Sequence, residues 1–200
     1  MDTTVNNTTK VLGKVSPSIT KMIRTDHSHV MLTSHKFTAS TSLQRKRAIV
    51  RTICLALDIH AQLEEEIFYP ALREVAPDNE ILAKSKPEHD EMRRRIGELR
   101  DMPPEDESYA TRFCELMRDV MHHVADEEAV LLPMAERLLA ERLGELGARM
   151  TQRRLQLIAP HAGEIAVNNA RAMPAGTMLL AGSLLAGAYM LGRGREYRRH

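Results

Sequence analysis

Two stretches of this chain repeat one pattern 63 residues apart. The sequence HAQLEE at 60–65 matches HVADEE at 123–128, and in each a proline follows six residues after the first glutamate. The dipeptides Asp26-His27 and Glu88-His89 are related by nearly the same offset. A repeat of this length indicates that one structural unit, here a pair of helices, occurs twice in the fold.

The spacing of apolar residues predicts helices along most of the chain. No glycine occurs between Gly13 and Gly97 and no proline between Pro17 and Pro70, so helices there can be long. Apolar residues and histidines recur at three- and four-residue steps in four successive stretches, as on one face of a helix. The breaks between them are short, which favours antiparallel neighbours. We therefore predict an all-α fold, an antiparallel up-down-up-down four-helix bundle with extra C-terminal helices.

Composition divides the chain into segments and excludes several classes of protein. The predicted segments are a flexible arm at 1–15, the bundle at 16–140, an amphipathic helix at 141–160, a linker at 161–171, an apolar helix at 172–192 and a basic tail at 193–200. The 28 Lys+Arg nearly balance the 27 Asp+Glu, so we expect no nucleic-acid partner. Two cysteines are too few for a disulfide framework or a zinc ribbon.

Four histidines and two glutamates lie on the predicted apolar helix faces. Within each repeated motif the histidine and the first glutamate are four residues apart, which places both side chains on one face, one turn apart. Burying this many polar groups without partners would be costly, whereas metal ions satisfy them all, and bundle cores build dinuclear sites in this way. The predicted metal-binding residues are His27, His60, Glu64, His89, His123 and Glu127.

The chemistry of these side chains indicates which metals they would bind. Nitrogen and oxygen donors without a thiolate suit iron, with manganese or zinc as alternatives. Glu65, Glu66 and Glu128 are predicted to form an outer acidic face, from which one of them could orient a metal ligand. Tyr69, near the end of the second helix, is predicted to pack in the core.

Together these motifs resemble those of the hemerythrin-like HHE cation-binding domains. The resemblance covers about 17–140 and rests on DH at 26–27, HAQLEEEIFYP at 60–70, EHDEM at 88–92 and HHVADEEAVLLP at 122–133. It implies an antiparallel four-helix bundle that holds two non-haem iron ions joined by an oxo or hydroxo bridge and by carboxylates. Carried over position by position, it implies the same six metal ligands.

Two positions depart from the oxygen-carrying members of that family. Those members have a second histidine one turn after the third-helix histidine, where this chain has Arg93, and an aspartate five residues after the last histidine, whereas Glu127 follows His123 by four. The four-His, two-Glu set is closer to bacterial stress-response members, including di-iron proteins named for the repair of iron centres. The resemblance therefore implies sensing, scavenging or turnover of O2, NO or peroxide, with a separate reductant. Iron storage or delivery, repair of iron centres and a membrane-tethered interaction module are the alternatives.

The apolar segment 172–192 contains no charged residue and, as a helix of about 30 Å, would be long enough to cross a bilayer. Its small residues at four-residue spacing would let helices approach closely. We expect membrane insertion or docking, and the alternative is packing against a second copy of the chain. The first residues do not form a cleavable leader, and cysteine is scarce, so we expect a cytoplasmic metal domain attached to the inner membrane through 172–192.

Overall fold

The computed structural model describes residues 16–172, which form helices joined by short connections. The α-helices are α1 (Ile19–Ser34), α2 (Leu43–Leu63), α3 (Tyr69–Arg73), α4 (Glu80–Asp101), α5 (Tyr109–Asp126), α6 (Leu132–Leu138), α7 (Leu143–Ile158) and α8 (Ala162–Ala172). Single 3-10 turns, Ala140–Arg142 and Ala159–His161, precede α7 and α8. No strand occurs in this part of the chain, and the prediction of an all-α fold is confirmed for it.

Two π-helical turns interrupt the helices that carry the repeated motif. The first, Glu64–Phe68, joins α2 to α3, and the second, Glu127–Leu131, joins α5 to α6. A proline follows each turn after one further residue; it has no N–H, and its ring would crowd a carbonyl of a regular helix. The wider π turn accommodates this proline. Each turn begins at a glutamate that the sequence predicts as a metal ligand.

The buried apolar residues form two clusters. The first includes Ile19, Ile23, Leu63, Phe68, Leu82 and Leu131. The second includes Val30, Ile49, Ile53, Met92, Ile96, Phe113 and Leu116. Along α1, α2 and α4, and along α5 with the turn that follows it, one buried histidine falls between the residues that pack in the first cluster and those that pack in the second. The four histidines therefore form a polar layer between two apolar ones.

The C-terminal helices pack on the outside of this arrangement. Helix α7 contacts α1 and α2, and its Leu146 and Met150 join the first cluster. Gly147 lies where α7 approaches the start of α1, because a Cβ atom there would collide with the backbone oxygen of Pro17. Only glycine permits this approach without a shift of the backbone.

The stretch 161–171 differs from the sequence prediction. The sequence predicts a linker there, but Ala162–Ala172 is the helix α8, and it packs along α2. Ile165 and Asn168, three residues apart, are partly and almost fully buried on one side of this helix. Contact with α2 stabilises a segment whose two large apolar residues, Ile165 and Val167, do not share one helix face.

The arm 1–15, the basic tail 193–200 and all of 172–192 except Ala172 lie outside the described residues. Between residues 16 and 172, no helix combines the length and the apolar character needed to cross a bilayer.

Candidate metal centre

The structure brings the six predicted metal-binding residues together in the polar layer. Helices α1, α2, α4 and α5 contribute one histidine each, and the glutamates are the first residues of the two π turns. All six side chains are buried. Donor atoms of His27, His60, Glu64 and Glu127 lie within 4.8 Å of one another, and those of Glu64, His89 and His123 form a second such group.

The imidazoles form two pairs that the glutamates connect. The ring centres of His27 and His60 are 5.0 Å apart, and those of His89 and His123 are 4.6 Å apart. Distances from a glutamate Oε2 to an imidazole Nε2 are 3.3 Å for Glu64–His60, 3.4 Å for Glu64–His89, 3.2 Å for Glu127–His27 and 3.6 Å for Glu127–His123. Each glutamate therefore contacts one imidazole from each pair, which is the placement of a carboxylate that can bridge two cations.

Several of these inward atoms lack a hydrogen-bond partner. They are His27 Nε2, His60 Nε2, Glu64 Oε1 and Glu127 Oε2. Leaving a buried polar atom unsatisfied costs about 1–3 kcal/mol, and more for a charged group. Imidazole nitrogens and carboxylate oxygens that converge without partners are donors suited to a metal cation. The residues present therefore fit a bound metal.

The opposite nitrogen of every imidazole faces a carboxylate on another helical segment. The pairs are His60 Nδ1 with Asp26 at 3.4 Å, His89 Nδ1 with Glu65 at 3.0 Å, His123 Nδ1 with Glu88 at 2.7 Å and His27 Nδ1 with Glu128 at 2.9 Å. We call these four carboxylates the outer ring. An Nδ1–H that donates to a carboxylate fixes the ring orientation and leaves Nε2 to bind a metal.

The outer ring closes around the layer. Each of its members is the sequence neighbour of a predicted ligand but contacts a histidine of a different helix. Asp26 links α1 to α2, and Glu65 links the first π turn to α4. Glu88 links α4 to α5, and Glu128 links the second π turn to α1. The sequence interpretation of an outer acidic face is therefore corrected for Glu65 and Glu128. Glu66 is exposed and pairs with Arg153.

A basic side chain contacts each carboxylate of the outer ring. The pairs are Asp26 with Arg154, Glu65 with Arg93, Glu88 with Lys84 and Glu128 with Arg24. Arg93 lies 2.8 Å from Glu65 and thus supports His89 indirectly, from the position where oxygen-carrying relatives have a histidine. Burial opposes ionisation of Asp26, but hydrogen bonds from His60 and Arg154 outweigh it and lower the pKa of Asp26 to about 2. Asp26 is therefore charged, and its basic partners hold the carboxylates of the outer ring in place.

The side chains of the inner layer have displaced pKa values. Burial, together with the nearby charge of Glu127, raises the pKa of Glu64. Burial also acts to raise the pKa of Glu127, but its contact with His27 and the nearby imidazoles of His123 and His60 outweigh this effect and lower it. For His27, burial lowers the pKa, whereas the charges of Glu127 and Glu64 raise it to about 9 overall. Protons therefore balance much of the negative charge that a cation would otherwise neutralise.

Tyr69 is a site residue that the sequence analysis assigns to the core. Its ring packs in the first cluster, but its hydroxyl lies 2.9 Å from Glu127 Oε1, to which it donates, and 3.2 Å from Glu64 Oε2, the alternative acceptor of the same hydrogen. The same oxygen lies 3.4 Å from His89 Nε2 and 3.5 Å from His123 Nε2. Burial and the two carboxylates raise the pKa of Tyr69, so its phenol keeps its proton.

A small cavity lies on the other side of the histidines. Its volume is about 20 Å³, which is on the order of a single water molecule. The four site histidines form part of its lining, together with apolar side chains of the second cluster, among them Val30, Leu57, Met92 and Val120. The other histidines of α1 and α5, namely His29 and His122, are exposed and lie outside the centre.

Comparison with known proteins agrees with this geometry. The sequence profile of the hemerythrin HHE cation binding domain matches residues 18–135. A DNA nickase from Nostoc sp. is 28% identical over 118 residues, which are 59% of this chain and 33% of that protein, so the chain spans about a third of the length of this relative. The crystal structure of a hemerythrin HHE cation binding domain-containing protein from Mycobacterium kansasii superposes with a TM-score of 0.61 at 19% identity, over 78% of this chain and 99% of that one. The chain belongs to the hemerythrin HHE cation binding domain family.

Proposed function

We propose that the centre holds two non-haem iron ions, one at each imidazole pair, with Glu64 and Glu127 shared between them. The contacts of each glutamate with both pairs support this assignment. The absence of a thiolate from the donor groups favours iron, with manganese or zinc as alternatives. An oxo or hydroxo bridge between the ions is part of the same proposal.

We also propose the up-down-up-down arrangement for α1, α2, α4 and α5. Residues at the starts of α1 and α4 share the first cluster with residues at and beyond the ends of α2 and α5. The second cluster combines the opposite ends of the same four helices. Alternating directions account for both groupings.

The function that this centre supports best is to bind O2, NO or peroxide and to sense, scavenge or turn it over. The observation that carries the proposal is the cavity of about 20 Å³ beside the four imidazoles. Its size, on the order of one water molecule, restricts any added ligand to a very small one, and its apolar walls favour an uncharged one. Bound iron supplies the redox chemistry and the attachment point for such a ligand.

The protein's own side chains have separable tasks in this proposal. The outer ring orients the imidazoles, and the apolar side chains of the second cluster keep bulk water from the cavity. Tyr69 holds a proton at its hydroxyl, 2.9 Å from Glu127, on the side of the layer that faces the first cluster. Among the described residues, its hydroxyl is the hydrogen-bond donor within reach of both glutamates.

The test compares His123→Ala with His122→Ala, since the two residues are adjacent but only His123 is buried in the centre. Protein purified without oxygen is expected to contain two iron ions per chain, and the reduced form should react with at least one of O2, NO and peroxide in stopped-flow spectra. The first variant should lose iron affinity by at least about tenfold, the second should not change. Two retained irons without any reaction would contradict the proposal, and iron released in proportion to each reaction would indicate storage or delivery.

Partners and location remain proposals that rest on the sequence. The matched region is a third of the Nostoc DNA nickase, and the net charge of this chain is +1, so we propose no nucleic-acid partner. We propose a separate reductant for turnover. A cytoplasmic location, with 172–192 attached to the inner membrane or to a second copy of the chain, is proposed from the composition of that segment.

A further inference from the structure

A groove between α2 and the C-terminal helices extends outward from the metal centre, which it borders at His60 and Asp26. It consists of two cavities, one of about 250 Å³ bounded by α1, α2, α7 and α8 and one of about 230 Å³ between α2 and α8. Asn168 of α8 lines both cavities, so they adjoin. The lining residues of α2 extend from Gln44 to His60, which is about 24 Å along the helix.

The larger cavity is mainly apolar. Its apolar lining residues are Val30, Leu55, Ala56, Ile59, Ile158 and Ile165. Its polar lining includes the ion pair of Asp26 with Arg154. Two histidines, the buried His60 and the exposed His29, also line it. An apolar cavity of about 150 Å³ holds benzene, so this one has room for about ten non-hydrogen atoms.

The smaller cavity is strongly basic. Arg47 and Arg51 of α2 and Arg171 of α8 line it, together with Gln44 and Ala48. None of these arginines makes an ion pair with another residue in the described range 16–172, whereas many other arginines of α4, α5 and α7 do. Three guanidinium groups around one cavity favour an anion that several of them contact at once.

The junction between the cavities contains polar atoms without partners. Asn168 is 3% exposed, and its Nδ2 makes no hydrogen bond. Thr52 Oγ1, on the facing side of α2, is likewise buried without a partner. A buried amide that lacks an acceptor is costly in free energy and uncommon in folded proteins. An anionic group in the arginine-lined cavity would supply the acceptor.

We propose that the groove binds an amphiphilic anion with a single aliphatic chain of about eight carbons. Its carboxylate or phosphate head would contact Arg47, Arg51 and Arg171 and accept from Asn168, and its chain would fill the larger cavity. The proposal is independent of the identity of the bound metal and of the reaction at the metal centre.

The test measures binding to the metal-loaded full chain by titration calorimetry. The probes are octanoate and octyl phosphate, with octanol, which lacks the anionic head, and inorganic phosphate, which lacks the chain, as comparisons. One molecule of octanoate or octyl phosphate should bind per chain at least about tenfold more tightly than either comparison, and the tighter of the two identifies the head group. Equal binding of octanol and octanoate, or no binding of either anion, would overturn the proposal.

Variants locate the binding. Arg51→Gln and Asn168→Leu should each weaken binding of the anionic probe, the first by about tenfold. Arg73→Gln is the matched control, because Arg73 is exposed on α3 and does not line the groove. Iron content should be unchanged in all three variants, which separates this test from that of the metal centre. Equal effects of Arg51→Gln and Arg73→Gln on binding of the anionic probe would overturn the assignment. Wild-type affinity in both single variants, Asn168→Leu and Arg51→Gln, would overturn it as well.

Discussion

The hydroxyl of Tyr69 is the buried donor that contacts both glutamates of the centre. Tyr69→Phe keeps the packed ring but removes the hydroxyl that contacts Glu127 and Glu64. We expect iron content to stay at the wild-type value and the rate of reaction with peroxide to fall by about 100-fold, as for loss of a positioned hydrogen-bond donor. The control is Tyr109→Phe, which alters another buried tyrosine within the second cluster. Equal rates for the two variants would remove Tyr69 from the reaction.

The outer ring makes a separate prediction for residues that touch no metal. Glu88→Ala removes the acceptor 2.7 Å from His123 Nδ1 and should reduce iron affinity by about 10- to 100-fold. Glu91→Ala changes the same residue type on the same helix, where it pairs with Arg94 and Arg95, and should leave affinity unchanged. Competition with a chelator of known affinity measures both. Similar losses in both variants would indicate a general effect on α4 rather than orientation of His123.

At the scale of single residues, the sequence predicts the six inner side chains of the centre, but it does not predict the contacts that Tyr69 and the outer ring make with them. The His-x3-Glu spacing and the repeat depend only on helix geometry, so they can be read directly. Tyr69 cannot, because a regular helix would place it about 140° around the axis from Glu64, whereas the π turn brings its hydroxyl to that carboxylate. The outer ring depends on contacts between helices, which no spacing within one helix reveals.

At the scale of elements, the contact between α7 and α1 depends on one glycine. Gly147→Ala would place a Cβ against the backbone oxygen of Pro17 and should destabilise the fold by about 1–3 kcal/mol, which lowers Tm by roughly 2–10 °C. Gly97→Ala is the control, since a Cβ at Gly97 meets nothing within 4 Å and alanine favours the helix. Thermal unfolding followed by circular dichroism measures both. A Tm that rises in both variants would mean that α7 does not lie against α1 in solution.

The helices of the repeat are predictable because their apolar residues follow the helical period closely. The segment 161–171 is not, because a glycine and two asparagines interrupt it and its two large apolar residues, Ile165 and Val167, fall on different sides of a helix. Its helix α8 depends on α2, a partner more than 100 residues earlier in the sequence. Sequence patterns therefore describe elements that carry their own amphipathic face and miss those that a distant neighbour stabilises.

For the whole molecule, the bound metal and the stability of the fold are coupled. Without a cation the polar layer holds buried atoms that lack partners, and its glutamates lie close together. Metal that binds only the folded chain adds about 2.7 kcal/mol of stability when its free concentration is a hundredfold above Kd. Removing iron with a chelator should therefore lower Tm in calorimetry, and restoring iron should recover it. An unchanged Tm after verified removal would show that the layer is stable without its cations.

The two repeats that build the centre differ at the position of Tyr69. The glutamates, the imidazoles and the outer ring all have counterparts in both repeats, but Leu132 occupies in the second repeat the place that Tyr69 occupies in the first. The single phenol lies beside His89 and His123 and makes no hydrogen bond with His27 or His60. In the proposed two-metal centre the cation positions would therefore be inequivalent, and a chain loaded with two different metals would have one preferred arrangement of them rather than an equal mixture.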